Sequence, residues 1–132
     1  MDAEPTYTLD EAHALVPQLR ATLVALAVER RLADASHLEL HRRLRGGAGG
    51  RRDPPADQGQ LEADADEQRA RVRALLDHLE SLGVVLRDLE AGLVDIPTRR
   101  NGRRAWLCWR LDDPQLAYWH TTREGFGSRR PL

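Results

Sequence analysis

Asp95, Cys108 and His120 offer an oxygen, a sulfur and a nitrogen donor within one short stretch of the chain. That stretch, Gly92 to Thr122, holds all three tryptophans, the only cysteine and one of the five histidines. An Asp/Cys/His set suits zinc or another borderline divalent transition metal. The same three residues can equally make a hydrogen-bonded polar face on a sheet. They do not make a good cysteine nucleophile: a nearby carboxylate raises a thiol's pKa, and Asp95 would sit beyond the cysteine rather than behind the histidine. Glu124 and Tyr118 are the residues placed to complete a metal's coordination, and Arg110 is the expected salt-bridge partner of Asp95.

The three residues meet only if the chain folds as a meander. Asn101-Gly102 is the commonest pair for a two-residue type I′ hairpin, and pairing Arg100 with Arg103 sets Asp95 opposite Cys108, Ile96 opposite Leu107 and Val94 opposite Trp109. Side chains alternate along strands. One face therefore carries Val94, Ile96, Leu107 and Trp109, and the other Leu93, Asp95, Trp106, Cys108 and Arg110. A five-residue second loop, Asp112 to Leu116, keeps the faces aligned. It sets Cys108 against His120, Trp109 against Trp119, Leu111 against Ala117 and Arg110 against Tyr118. An even loop would flip the third strand. The row requires the Cα of Cys108 to lie beside those of both Asp95 and His120.

Upstream of the meander the chain reads as helix. Thr8 and Glu11 form a capping box. Pro17, inside that pattern, predicts a short opening helix to about Val16, a kink, and a long helix to about Arg45, with Leu15, Leu19, Leu23 and Leu26 as its apolar stripe. Gly46 to Gly59, with five glycines and two prolines, reads as a flexible connection. The arginines around it, Arg42, Arg43, Arg45, Arg51 and Arg52, read as a solvated helix end. Leu61, Ala65, Gln68, Val72, Leu75, Leu79 and Leu82 then follow a heptad seam that Gly83 terminates. Val84-Val85-Leu86 predicts a short strand, with continuation of the helix to Leu89 as the alternative. His37 and His41 have the i, i+4 spacing of metal ligands, and an antiparallel hairpin would bring Glu67 opposite. Two solvated histidines are the simpler reading. Phe126, between two glycines, can anchor the tail to the sheet.

Composition narrows the function classes. At 132 residues and a net charge of −1 the chain is one domain, and bulk charge implicates neither nucleic acid nor membrane. All twenty basic residues are arginine; with abundant alanine, leucine, aspartate and glycine this is the signature of GC-rich coding, so arginine content alone argues little for phosphate binding. A single cysteine excludes an intrachain disulfide and fits a reducing cytoplasm, and the N-terminus lacks the pattern of a signal peptide. No P-loop, dinucleotide fingerprint or zinc-finger spacing occurs.

Thr-Leu-Asp-Glu-Ala near the start, Gly-Leu-Val-Asp-Ile-Pro (92–97), Leu-Cys-Trp-Arg-Leu (107–111), Tyr-Trp-His (118–120), Gly-Phe (125–126) and the terminal Arg-Pro-Leu resemble the bacterial domain-of-unknown-function 2203 family. The resemblance covers nearly the whole chain, departing mildly at Ile96 (more often Phe) and His13 (more often Asn). It implies no activity, but its pattern includes the residues at Asp95, Cys108 and His120.

The expectation is an α+β fold in one domain: a long antiparallel helical hairpin with a kinked first helix (about residues 8–83), capped at one end by a small antiparallel β-meander and tail (about 84–132). Two function classes follow: a small cytoplasmic protein binding a metal or ligand at the meander's outer face, or a helical interaction module that forms a homodimer or binds a partner helix. An open pocket at Cys108 and His120 favours the first, and a face sealed by the tail the second.

Overall fold

In the computed structural model, residues 5–46 and 55–132 are described. Helix α1 spans Leu9–Gly46 and helix α2 Pro55–Ser81; five strands follow, β1 Val85–Asp88, β2 Leu93–Arg100, β3 Arg103–Arg110, β4 Tyr118–Thr121 and β5 Arg130–Pro131. The strands form one antiparallel sheet in sequence order, and the helices pack on each other as a hairpin. The class is α+β, as expected. Two strands extend the expected meander: Val85–Asp88 adds to one edge and Arg130–Pro131 to the other.

The capping box starts α1: the Thr8 amide donates to Glu11 Oε1 at 2.9 Å and the Glu11 amide to Thr8 Oγ1 at 3.1 Å. The separate opening helix does not exist, because α1 runs through Pro17. Proline leaves the carbonyl four residues earlier, that of His13, without its amide. Both residues lie on the exposed side, where water can replace the lost bond. α2 begins at Pro55, earlier than expected, since proline suits the first helical position, where no amide donor is needed. The connection, residues 47–54 with Arg51 and Arg52, lies outside the described residues. α2 ends as the seam requires. Gly83 adopts φ +73°, its amide donates to the Glu80 carbonyl at 2.9 Å, and that of Val84 reaches back to Leu79 at 3.1 Å. This paired closure satisfies carbonyls the helix would leave open. The chain then turns into β1 rather than continuing as helix to Leu89.

Asn101 and Gly102 both take positive φ, as a type I′ turn demands, and every β2–β3 pair follows the expected register, Asp95 opposite Cys108 included. The second hairpin is shifted by two. Cys108 pairs with Tyr118, Leu107 with Trp119 and Trp106 with His120. Trp109 therefore does not meet Trp119, nor Arg110 meet Tyr118, and the loop holds seven residues, 111–117, instead of five. Two interactions inside this loop explain its length. The Asp113 carboxylate accepts the Arg110 amide at 3.0 Å, and Leu116 is buried in the core. A shift of two is even, so each side chain keeps the face assigned to it.

The core lies between the hairpin and one sheet face. Leu19, Leu23 and Leu26 of α1 and Leu79 of α2 join Val94, Ile96, Leu107 and Trp109, with Leu15, Leu75, Leu82 and Trp119 at its margin. The chain before α1 is tied to β2: the Tyr7 amide donates to the Pro97 carbonyl at 2.8 Å, and the Thr98 hydroxyl to the Tyr7 carbonyl at 2.6 Å. Away from the sheet the helices hold each other more loosely, through Arg71 on Glu29 at 2.8 Å and Gln68 on the Glu29 carbonyl at 2.9 Å. Leu32, Leu38 and Leu44, beyond the Leu15 to Leu26 stripe, are exposed there. No helix among the described residues is long and apolar enough to cross a membrane.

Candidate metal centre

Asp95, Cys108 and His120 lie on the sheet face turned away from the helices, and all three are at most 2% exposed. The straight row does not form, because His120 stands opposite Trp106, two residues along from Cys108's own partner. Alternation still puts the three side chains on one side, and a diagonal replaces the row. One donor atom from each residue lies within 4.8 Å of the others. Among the described residues this is the group of three or more such side chains placed to hold an ion. His37, His41 and Glu67 are exposed and form no such group.

Each side chain is held from a second direction. Asp95 Oδ2 accepts a hydrogen bond from Arg87 Nε at 2.8 Å, and Asp95 Oδ1 lies 3.0 Å from His120 Nε2. The other ring nitrogen, Nδ1, donates to the Thr121 carbonyl at 2.8 Å. Arg110, the expected partner of Asp95, instead contacts Asp112 at 2.6 Å. Arg87 takes the role because β1 bulges between Leu86 and Asp88. The extra residue at a bulge redirects side chains. Arg87 also lies over the Trp106 ring, 5.3 Å from its centroid. No sequence signal announces a bulge in a four-residue edge strand, so Arg87 escapes a reading by alternation.

Cys108 is covered by the tail. Arg129 grips Asp113 with two guanidinium nitrogens, at 2.8 and 3.4 Å, and lies 4.0 Å from the centroid of Tyr118, the residue opposite Cys108. Burial, and secondarily the Asp95 charge, push the Cys108 thiol up to about 11, while Arg129 pulls the other way. Free of any metal it is a protonated thiol at neutral pH, the opposite of an activated nucleophile. Tyr118 therefore packs under an arginine, while Glu124 accepts from the Thr121 hydroxyl at 3.1 Å and Arg130 at 3.0 Å. Glu124 also lines a cleft of about 300 Å³ with Arg87, Leu93, Asp95, His120, Thr122, Gly125 and Phe126. The tail thus seals the cysteine, and the cleft reaches the aspartate and histidine.

Residues 5–132 match the family model described as an uncharacterized conserved protein, DUF2203. The chain belongs to this family. No curated protein and no solved structure matches it. Membership in DUF2203 therefore covers the helices, the sheet and the tail together, and its description assigns no chemistry to the buried group.

Proposed function

We propose that this DUF2203 chain binds a divalent transition metal through Asp95 Oδ1, Cys108 Sγ and His120 Nε2. The observation that carries the reading is the hydrogen bond on the far side of the imidazole. A carbonyl oxygen only accepts, so His120 Nδ1 must hold a proton. In a neutral ring Nε2 is then a lone pair, and it faces a carboxylate oxygen that also only accepts, 3.0 Å away. Something positive must lie between them: a shared proton or a metal ion. Imidazoles that bind metals are commonly oriented by a hydrogen bond of this kind on the other nitrogen.

The spacing suits an ion. Tetrahedral zinc, with nitrogen and oxygen at about 2.0–2.1 Å, holds those two donors about 3.3 Å apart, and a thiolate sulfur about 3.5 Å from either. The first distance needs almost no change; the sulfur has to close in from within 4.8 Å. Metal binding displaces the thiol proton, and that offsets the unfavourable environment of Cys108. Sulfur and nitrogen donors together favour zinc over magnesium or calcium. Three protein ligands leave a coordination position, and the cleft beside Asp95 and His120 is where a water or small ligand would reach it.

The test is metal content and cobalt substitution. Protein purified without an affinity tag is expected to carry close to one equivalent of zinc by elemental analysis. Cobalt(II) should give visible ligand-field bands with a thiolate-to-metal band in the near ultraviolet. Cys108→Ser should keep the circular dichroism spectrum and lose that near-ultraviolet band. Protein without bound metal that gives no cobalt spectrum would refute the reading. The proton-sharing alternative, a buried carboxylate between an imidazolium and Arg87, would then stand.

A further inference from the structure

The turn end of the β2–β3 hairpin carries a second feature, distinct from the buried group. A concavity of about 840 Å³ is lined by Arg100, Asn101, Arg103, Arg104, Ala105, Trp119, Thr121, Thr122 and Arg123. Arg100, Arg103 and Arg123 bring three guanidiniums to it, and no carboxylate lines the space. It opens on the core-side face of the sheet, where Ala105, Trp119 and Thr121 continue the row of Leu107 beyond the hydrophobic core. Alternation points Arg100 and Arg103, which oppose each other across the turn, to that same face.

Elsewhere on the sheet and helices several arginines are neutralised; among those that are not, Arg30 and Arg73 line a cavity with Glu29 and Asp77, and Arg20 lies over Trp109. Arg71, Arg87, Arg110, Arg129 and Arg130 each contact a carboxylate. Arg100, Arg103 and Arg123 form no ion pair among the described residues; Arg100 lies instead over Trp119, 4.3 Å from the ring centroid. Like charges gathered in one concavity repel unless an anion enters. Guanidiniums present paired donors that match phosphate oxygens, and backed by an aromatic ring a guanidinium keeps its orientation. Arginine abundance does not make a phosphate site; three guanidiniums gathered around one space without counter-charges do.

We infer that this concavity is a binding site for a small molecule bearing two or more linked phosphates, held by Arg100, Arg103 and Arg123 beside Trp119. A single phosphate can occupy one pair of guanidiniums. A linked di- or triphosphate spans several at once, and the volume accommodates a molecule of nucleotide size. An anion held by the guanidinium stacked on Trp119 changes the charge over the ring, so binding should change tryptophan emission.

The experiment is titration calorimetry of the full chain with inorganic pyrophosphate, tripolyphosphate and adenosine triphosphate, with emission read in parallel. Pyrophosphate is expected to bind well above orthophosphate, and more weakly as salt rises. Arg100→Gln, Arg103→Gln and Arg123→Gln should each weaken binding roughly ten-fold, the effect of losing one charge-assisted contact. All three positions are exposed, so the variants should fold normally by circular dichroism. Cys108→Ser, on the opposite sheet face, should bind pyrophosphate like the parent. That separates this site from the metal centre. Tighter binding of adenosine triphosphate than of tripolyphosphate would identify a nucleotide, and equal binding an inorganic oligophosphate. Pyrophosphate binding no tighter than sulfate at equal ionic strength, or unchanged in the three variants, would overturn the inference. So would a single-stranded oligonucleotide that binds while pyrophosphate neither binds nor competes.

Discussion

Trp109 tests the packing on which the rest of the sheet depends. It is fully buried on the sheet face that packs against the helices, with Arg20 over its ring at 5.1 Å, and its indole Nε1–H, also buried, has no acceptor among the described residues. Trp109→Ala removes roughly 140 Å³ of side chain. At about 24 cal/mol per Å³ of unrelaxed cavity this is about 3.4 kcal/mol, within the usual 3–5 kcal/mol for a buried aromatic. Trp109→Phe is the more discriminating change. It removes only roughly 40 Å³, a cost of about 1 kcal/mol. It also removes the unpartnered donor, whose desolvation costs about 1–3 kcal/mol. The two terms oppose, so Trp109→Phe should lie between parity with the parent and about 2 kcal/mol more stable. Urea unfolding followed by circular dichroism at 222 nm measures both, with an unchanged m-value as the check on two-state behaviour. The alanine variant should also melt roughly 12–20 °C lower. A phenylalanine variant as unstable as the alanine variant would show that the indole N–H is satisfied and that the reasoning from its isolation is wrong.

Three further outcomes follow from groups around the buried set. Burial raises the Asp113 carboxyl, but the Arg129 hydrogen bond, the Arg110 amide and the nearby guanidiniums outweigh it and hold it below its ordinary 3.8. A folded value below the unfolded one means stability fully present above the ordinary value and lost as pH falls through the folded value. Asp113→Asn should therefore cost roughly 1–3 kcal/mol at neutral pH and flatten that part of the acid limb; an unchanged slope between about pH 5 and pH 2 would contradict the pairing. Cys108, shifted from 9.0 to about 11 and 1% exposed, should react with a disulfide reagent far more slowly in chelator-treated native protein than in urea. Thiolate abundance alone accounts for about a hundred-fold difference at neutral pH, and rapid native labelling would refute the burial. Thr8→Ala should cost about 1 kcal/mol by undoing the capping box, readable as a shifted urea midpoint.

Features governed by near neighbours could be read directly. The Thr8–Glu11 box, the stop at Gly83 and the Asn101-Gly102 hairpin each depend on residues within one turn of chain. The β2–β3 register followed from the last of these, and with it the contact of Asp95 with Cys108. Face assignment also survived the error in the second hairpin, because alternation has a period of two and the loop differed by two. A break at Pro17 follows from a local rule, and such a rule cannot tell whether the orphaned carbonyl faces solvent, where it is cheaply hydrated.

Local patterns of residues suffice for the two helices, the first hairpin and the sharing of one sheet face by Asp95, Cys108 and His120. How those side chains are held depends on contacts across the fold. The second loop is held not only by the Arg110 amide on Asp113 but by Arg129, sixteen residues from Asp113, and by Leu116 in the core. Arg87 replaces Arg110 on Asp95 because a bulge in an edge strand redirects it. The arginines at the hairpin tip became a candidate site only once folding gathered them around Trp119 and left no carboxylate in that concavity. These contacts join residues far apart in the chain, and their energies exist only after the chain has closed the intervening loops.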